Sequence, residues 1–274
     1  MKKVGLLLML AAVCFQGLAQ TAKIKSCSIA PDNDDDMLTV KTDAVRIIPE
    51  RTKGTDFEGH GFFEGSSIRK INNTYYFIYS SQLNHELCYA TSKYPDKDFK
   101  YAGTIVSAGD IGLNGRKEKD SLNAVGTTHG SIECINGRWY VFYHRLTHGS
   151  DYSRQACAEP IEIKSDGSIE QTEISSCGLN AKPLIAKGRY PAVIACHITN
   201  GKMPRVSNRQ YKKPIPTVTH KNGERYIANI DGKTVITYKW FDFEKQNGTL
   251  ELDIDSNADG EIKILANGKT IAEK

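Results

Sequence analysis

The residue best suited to chemistry lies in the first quarter of the chain. Glu64 follows two aromatic residues, Phe62 and Phe63, and precedes Gly65. A carboxylate placed among aromatic rings is poorly solvated, which raises its pKa. A carboxylic acid that stays protonated near neutral pH can donate a proton to a glycosidic oxygen. Glu64 is therefore a candidate general acid.

The chain repeats the pattern that follows Glu64. Residues Ser67–Tyr79 align without a gap on Ser131–Tyr143, which lie 64 residues further along. Each copy is predicted to be a strand, a turn and a second strand. Two asparagines stand at the first turn and Asn136-Gly137 at the second, and Asn-Gly is a strong hairpin signal because both central residues take a positive φ.

Further strands are predicted after each hairpin. They are Glu86–Thr91 and Phe99–Val106 after the first, and Cys157–Ile163 and Ser168–Ile174 after the second. A four-stranded unit that repeats at such a spacing is typical of a β-propeller blade. The predicted fold class is therefore all-β. Polar residues at equivalent ends of successive inner strands converge on the channel axis, so His129, just before the second copy, is expected near Glu64.

The first nineteen residues have the features of a targeting segment. Lys2 and Lys3 precede the apolar run Val4–Phe15, and small residues precede a cleavage site after Ala19. We expect a signal peptide over residues 1–19 and a periplasmic or secreted protein, with a lipid anchor as the less favoured alternative. No later apolar run is long enough to span a membrane.

Charge and cysteine spacing argue against several classes of protein. The formal net charge is +4, and about +2 without Lys2 and Lys3, with no basic cluster of the kind that binds nucleic acid. The six cysteines beyond the signal peptide are widely spaced and form no CxxC, so neither a zinc ribbon nor a disulfide scaffold is indicated. Cys157 and Cys177 are the first pair to test for a disulfide.

Two other motifs favour ordinary structural interpretations. The acidic run Asp32–Asp36 reads as a solvated loop, and a calcium-binding structural protein built on it is a third hypothesis. His85 and Glu86 begin like a zinc protease motif, but the second histidine of that motif is missing.

The composition changes toward the C-terminus. Prolines and basic residues cluster between Met203 and Pro216, where we predict a domain boundary. Beyond it, Leu250, Leu252 and Ile254 alternate with acidic residues, which predicts a half-buried strand.

Two segments together resemble motifs of glycoside hydrolase family 43. Phe63–Gly65 with the strand Tyr75–Ser80 resembles the family's general-acid blade, and Thr128–Ser131 with Trp139–Arg145 resembles a later blade. The likeness covers roughly Phe57–Ile174 and is specific over both motifs together.

The resemblance implies a five-bladed propeller and an inverting glycosidase acting on oligo- or polysaccharides that contain arabinose, xylose or galactofuranose. It implies that Glu64 is the general acid and that His129 lies near an axial water or calcium ion, with no cofactor required. His85 and Arg145 are expected near the sugar. The segment Ala228–Phe243 is similar to the β-sandwich of a family 6 carbohydrate-binding module.

The chain departs from the family pattern at its beginning. The family's general base and a second, acid-tuning aspartate lie on the first two blades, which need about 80 to 100 residues. Only 45 residues run from Gln20 to Glu64, and none of their aspartates lies in a matching motif. The prediction is a partial five-bladed β-propeller followed by a partial β-sandwich, with no general base assigned.

The predicted organisation has four parts, with two hypotheses for function. They are a signal peptide at 1–19, a poorly patterned segment at 20–56, a partial propeller at 57–205 and a partial sandwich at 206–274. The first hypothesis is a glycosidase in which Glu64 is the acid. The alternative is a non-catalytic carbohydrate-binding remnant that lacks the general base.

Overall fold

The computed structural model describes residues 45–203, 214–244, 249–256 and 259–273. The predicted signal peptide, the acidic run Asp32–Asp36 and the predicted boundary between residues 205 and 206 lie outside the described residues and stay predictions. Within the described ranges, no helix is long and apolar enough to cross a membrane.

The described residues form strands and short 3₁₀ turns, and they contain no α-helix. The 3₁₀ turns are Ala108–Asp110, Leu113–Gly115, Glu118–Asp120 and Ala192–Ile194. The strands are β1 (Phe62–Ile71), β2 (Thr74–Ser81), β3 (Glu86–Ser92), β4 (Lys100–Ser107), β5 (Ser131–Ile135), β6 (Arg138–Thr147), β7 (Ser150–Ile161), β8 (Leu184–Ile185), β9 (His197–Thr199), β10 (Thr217–Lys221), β11 (Glu224–Ala228), β12 (Val235–Thr237), β13 (Phe241–Asp242), β14 (Lys263–Ala266) and β15 (Lys269–Glu273). The predicted all-β class is confirmed.

The first repeat forms a sheet in the order β1-β2-β3-β4, as the sequence predicts. β1 pairs antiparallel with β2 across a turn at which Asn72 takes a positive φ of 53°. β2 pairs antiparallel with β3, and most of the residues of these two strands are buried. Burial on both faces explains why their sequences are apolar runs rather than alternating ones.

The second repeat forms a sheet in the order β5-β6-β7. The predicted Asn136-Gly137 turn is confirmed, with φ values of 51° and 79°. The predicted fourth strand, Ser168–Ile174, is wrong. Instead of joining a ladder, Ile169 donates its backbone N–H to the Tyr89 hydroxyl at 2.8 Å, so this buried N–H is satisfied by a side chain.

The chain divides into two compact units that alternate along the sequence. Unit 1 comprises residues 1–105, 128–143 and 161–171, and unit 2 comprises 106–127, 144–160 and 172–274, as far as the structure describes them. The strands β4, β6 and β7 contribute residues to both units.

Each unit has an apolar core of its own. The core of unit 1 collects side chains from the loop before β1 and from β2, β3 and the segment entering β4: Ile48, Phe57, Phe77, Tyr79, Cys88, Ala90 and Phe99. Unit 2 has a cluster formed by Val193, Ala195, Ile198, Val218 and Ile227. Aromatic rings dominate the first cluster and aliphatic side chains the second.

The C-terminal part of unit 2 is built from two-stranded pairings: β10 with β11, β9 with β12, β8 with β13 and β14 with β15. The strand predicted from the alternation of Leu250, Leu252 and Ile254 is wrong, because these residues form no strand and their side chains are exposed. An alternating sequence becomes a half-buried strand only when a neighbouring strand and a core accept it. The propeller and the sandwich stay predictions.

The structure forms no disulfide between Cys157 and Cys177. Within unit 2, the Cys177 sulfur lies against the backbone of the Lys239-Trp240 segment, 3.5 Å from the Trp240 nitrogen. The expectation of a disulfide was wrong because Cys177 packs as a small buried side chain, as unpaired cysteines usually do.

Candidate active site

Glu64 lies on β1 at an irregular point of the sheet. Its pairing with Ser80 on β2 has a register shift on each side, and Gly65 beside it takes a positive φ of 66°. A bulge interrupts the alternation of side chains along a strand and redirects them. The local backbone, rather than the regular pleat, therefore sets the direction of the Glu64 carboxylate.

The structure brings Glu64 and His129 together, as the repeat predicts. Within unit 1, Nε2 of His129 lies 2.8 Å from Oε1 of Glu64, which is hydrogen-bonding distance. The side chain of Glu64 is 45% exposed and that of His129 is 33% exposed. The predicted enclosure of Glu64 by aromatic rings is not observed, because Phe63 is itself 49% exposed. The pair is open to an arriving ligand.

A glycine makes this close approach sterically feasible. A Cβ atom at Gly65 would lie 2.8 Å from Cδ2 of His129, closer than real Cβ contacts allow. The positive φ of Gly65 is also one that residues with a Cβ rarely adopt. Gly65 thus serves both the bulge and the packing of the imidazole against the strand.

The equivalent positions of the two repeats lie side by side. The Ser67 hydroxyl donates to the Ser131 hydroxyl oxygen at 2.7 Å, and Nε of Arg69 lies 3.3 Å from a carboxylate oxygen of Glu133. In both pairs the partners are 64 residues apart in sequence. In both contacts the residue numbers increase together, so β1 and β5 run in the same direction. These side-chain contacts between the two sheets place Glu64 near His129.

The other two predicted site residues are both buried. His85 lies in the turn before β3 in unit 1 and is 4% exposed. Arg145 belongs to unit 2 and is 6% exposed. Its guanidinium donates to the backbone oxygens of Val193, at 2.7 Å, and Ala195, and to the side chain of Gln155 at 2.9 Å. Their contact with a sugar stays a prediction, whereas the packing of Arg145 within unit 2 is observed.

A second polar cluster in unit 1, centred on Glu86, was not predicted from the sequence. The Glu86 carboxylate is buried and accepts hydrogen bonds from Ser81 at 2.7 Å and Thr104 at 2.9 Å, and Nδ1 of His60 lies 2.7 Å from it. Burial raises the pKa of Glu86, but these hydrogen bonds and the nearby imidazole outweigh it and lower the pKa to about 2. The hydrogen bond to Glu86 in turn raises the pKa of His60. The sequence signals were weak: Glu86 belongs to an incomplete zinc protease motif, and His60 stands between two glycines.

The geometry near His129 does not by itself provide a calcium site. The structure places one carboxylate, that of Glu64, against this imidazole. Calcium takes six to eight oxygen ligands. The residues of this pair therefore do not fit calcium, and the proposed chemistry of the pair uses no metal ion.

Within the part of the chain that the structure describes, one group has three donors close enough for a metal ion: His60, Glu86 and Cys88.

The chain is similar to xylosidases and arabinosidases, although no protein-family model matches it. A xylosidase/arabinosidase from Thermoclostridium stercorarium is 43% identical over 251 residues, which is 87% of this chain and 53% of the relative. A beta-xylosidase from Xylanibacter ruminicola is 34% identical over 131 residues, covering 46% of this chain and 36% of the relative. The chain spans about half the length of the first relative and less of the second.

Among solved structures, a GH43_1 enzyme from Xanthomonas citri is 31% identical and matches 42% of this chain and 31% of its own, with a TM-score of 0.34. A GH43 beta-xylosidase/alpha-arabinofuranosidase from a compost metagenome, solved with xylotriose in a calcium-free form, is 32% identical over the same shares, with a TM-score of 0.33. Both scores are too low to define a shared architecture.

Proposed function

We propose that this chain, which belongs to glycoside hydrolase family 43, hydrolyses glycosidic bonds of polysaccharides that contain xylose or arabinose, with Glu64 as the general acid. The observation that carries the proposal is the hydrogen bond between Glu64 and His129 at an accessible position of unit 1. This hydrogen bond connects the two repeats through Glu64 and His129, one from each of the two family motifs.

The chemistry of the pair follows from its geometry. A protonated Glu64 donates its proton to the glycosidic oxygen as the bond to the anomeric carbon breaks. The carboxylate left behind accepts a hydrogen bond from Nε2–H of His129, which stabilises the anion. His129 thus orients the carboxylic acid of Glu64 before the reaction and stabilises the charge of its carboxylate afterwards.

An inverting reaction also needs a second carboxylate to activate the attacking water. In such enzymes the two carboxyl groups lie about 6.5 to 9.5 Å apart, which leaves room for the water. We assign no general base to the described residues. In the proposed inverting mechanism, this chain therefore supplies the general acid of the catalytic pair.

The proposal extends to fold and location. We propose that the four-stranded and three-stranded sheets of the two repeats are blades of a partial propeller. We also propose that residues 206–274 form a carbohydrate-binding region. A signal peptide over residues 1–19 would deliver the protein to the periplasm or the medium, where such polymers are met.

The test compares Glu64→Gln with the wild-type chain on aryl β-xylosides and aryl α-arabinofuranosides whose leaving groups differ in acidity. We expect the variant to lose about 10²- to 10⁴-fold in kcat/KM on substrates with a poor leaving group. The loss should shrink for an activated leaving group, which departs without protonation. Glu170→Gln, which changes a carboxylate that is 78% exposed, is the matched control and should retain activity.

The alternative is a sugar-binding chain without turnover, which we keep because no general base is assigned to the described residues. Xylotriose binding measured by calorimetry separates the two. Binding by a wild-type chain that hydrolyses none of the aryl glycosides supports the alternative. An equal loss for Glu64→Gln on all leaving groups would show that Glu64 is not the proton donor.

A further inference from the structure

The cluster around Glu86 in unit 1 has the donor chemistry of a transition-metal site. One imidazole nitrogen of His60, one carboxylate oxygen of Glu86 and the sulfur of Cys88 all lie within 4.8 Å of one another. Nitrogen, oxygen and sulfur donors together suit a borderline-soft ion such as Zn²⁺, whereas calcium and magnesium require oxygen.

The three donors are held in place by separate features of the fold. Glu86 and Cys88 are two apart on β3, so their side chains share one face of the strand. His60 comes from the loop before β1, where its ring stacks on Tyr101 at 4.6 Å and its backbone oxygen accepts a hydrogen bond from the Tyr79 hydroxyl. The site therefore does not depend on one flexible segment.

The surroundings resemble the outer shell of a metal site. The hydroxyls of Ser81 and Thr104 hydrogen-bond to the two oxygens of the Glu86 carboxylate and fix its orientation. Such partners keep a ligand oriented for the metal. Glu86 and Cys88 are buried, whereas the His60 side chain is one-third exposed, which provides a path for an ion.

We propose that His60, Glu86 and Cys88 bind one zinc ion, with a fourth position open to water on the side of His60. A thiolate and a carboxylate together neutralise the charge of a divalent cation. Tetrahedral zinc separates its ligand atoms by about 3.3 to 3.8 Å. His60 and Glu86 are 2.7 Å apart, so they separate by less than about 1 Å when the ion replaces their hydrogen bond.

Glu64, the proposed acid, is not one of the three zinc ligands. A zinc ion at this site would link the loop before β1 to β3, and Glu64 lies on β1 four residues after His60. Binding is therefore expected to stabilise the chain toward unfolding, because an ion that binds only the folded state shifts the equilibrium toward it.

The experiment titrates the full, tag-free chain with Zn²⁺ in competition with a chromophoric chelator. We expect one zinc per chain and a higher melting temperature with zinc than with EDTA. Cys88→Ser and His60→Gln should each abolish tight binding. Thr104→Val should weaken it about 10- to 100-fold, because it removes only an outer hydrogen bond.

Two controls separate this site from other zinc-binding groups. Cys134→Ser removes an exposed thiol, and His148→Asn with His220→Asn removes an exposed imidazole pair in which the two nitrogens are 3.0 Å apart. Both should bind zinc as the wild type does. Zinc binding that persists in Cys88→Ser, or that disappears with the histidine pair, overturns the proposal.

If a variant fails to fold, a measurement on the wild-type chain tests whether a cysteine sulfur binds the zinc ion. In the wild-type chain, X-ray absorption of bound zinc should show one sulfur ligand at about 2.3 Å, and Co²⁺ should give a thiolate charge-transfer band. Absence of the sulfur ligand, or no zinc bound by the wild-type chain, overturns the proposal.

Discussion

The imidazole of His129 packs directly on Gly65, so that a Cβ atom there would lie 2.8 Å from Cδ2 of the ring. The same imidazole hydrogen-bonds to the carboxylate of Glu64. The glycine after Glu64 thus has a role that its motif alone does not reveal: it makes room for the partner of the carboxylate.

We expect Gly65→Ala to impair the pair of Glu64 and His129 more than the fold. A residue with a Cβ at this positive φ costs roughly 1–2 kcal/mol of stability, and the clash displaces the ring. Gly137→Ala is the control, because Gly137 has a φ of 79° with no atom near its Cβ position. Urea unfolding measures the strain in both variants, and NMR of the His129 ring measures the displacement. Unchanged ring signals in Gly65→Ala would contradict the packing.

The hydrogen bond between Ser67 and Ser131 should make a small but measurable contribution to the free energy of unfolding. A double-mutant cycle of Ser67→Ala and Ser131→Ala is expected to give a coupling of about 0.5–1.5 kcal/mol, which is typical of a hydrogen bond between neutral groups.

The same cycle on Arg69 and Glu133 provides the comparison. That pair is partly exposed, so its coupling should be about 0.2–1 kcal/mol and should decrease with added salt. Absence of coupling in both cycles would show that β1 and β5 are not adjacent in solution.

The sequence predicted the hairpins well because their signals are local. Asn136-Gly137 and the apolar run after it specify a turn and a strand without reference to the rest of the chain. The alignment of the repeats then placed Glu64 near His129, because equivalent positions of repeated units meet. The strand predicted at Leu250–Ile254 failed because alternation does not reveal whether a partner strand is available.

The environment of each side chain was harder to predict than its position. Neighbouring phenylalanines predicted burial of Glu64, yet the bulge leaves it nearly half exposed. Glu86, by contrast, is buried because Ser81, Thr104 and His60 reach it from different segments. Contacts between distant segments have no signature within a short stretch of sequence.

Arg145→Lys tests whether this residue serves the fold or the sugar. Lysine cannot reproduce the guanidinium's contacts with Gln155 and the backbone oxygens of Val193 and Ala195. We expect a loss of about 2–3 kcal/mol in unfolding free energy, since buried acceptors lose their donor. Arg189→Lys, at an exposed position, should change little. Weaker xylotriose binding with unchanged stability would assign Arg145 to the sugar instead.

We expect Asp110 to make the stability of unit 2 depend on pH. Burial raises the pKa of Asp110, but hydrogen bonds from His197, at 2.7 Å, and from the backbone N–H of Ile174 outweigh it, so that the net pKa lies below the usual value of 3.8. A carboxyl group with a depressed pKa in the folded state stabilises that state above its unfolded pKa. This contribution is lost as the pH falls through the folded pKa.

We therefore expect Asp110→Asn to destabilise the chain by about 3 kcal/mol near pH 7, because it leaves His197 and Lys239 without their buried carboxylate. Asparagine tolerates the positive φ of 56° at this position, so the backbone is preserved. The difference from wild type should begin to shrink below about pH 4, where the carboxyl group of Asp110 protonates in the unfolded chain, and should continue to shrink as the pH falls through the lower pKa of the folded state. Urea unfolding at a series of pH values measures it, with the exposed Asp253→Asn as control. A difference that stays constant down to pH 2 would show that the charge of Asp110 does not stabilise unit 2.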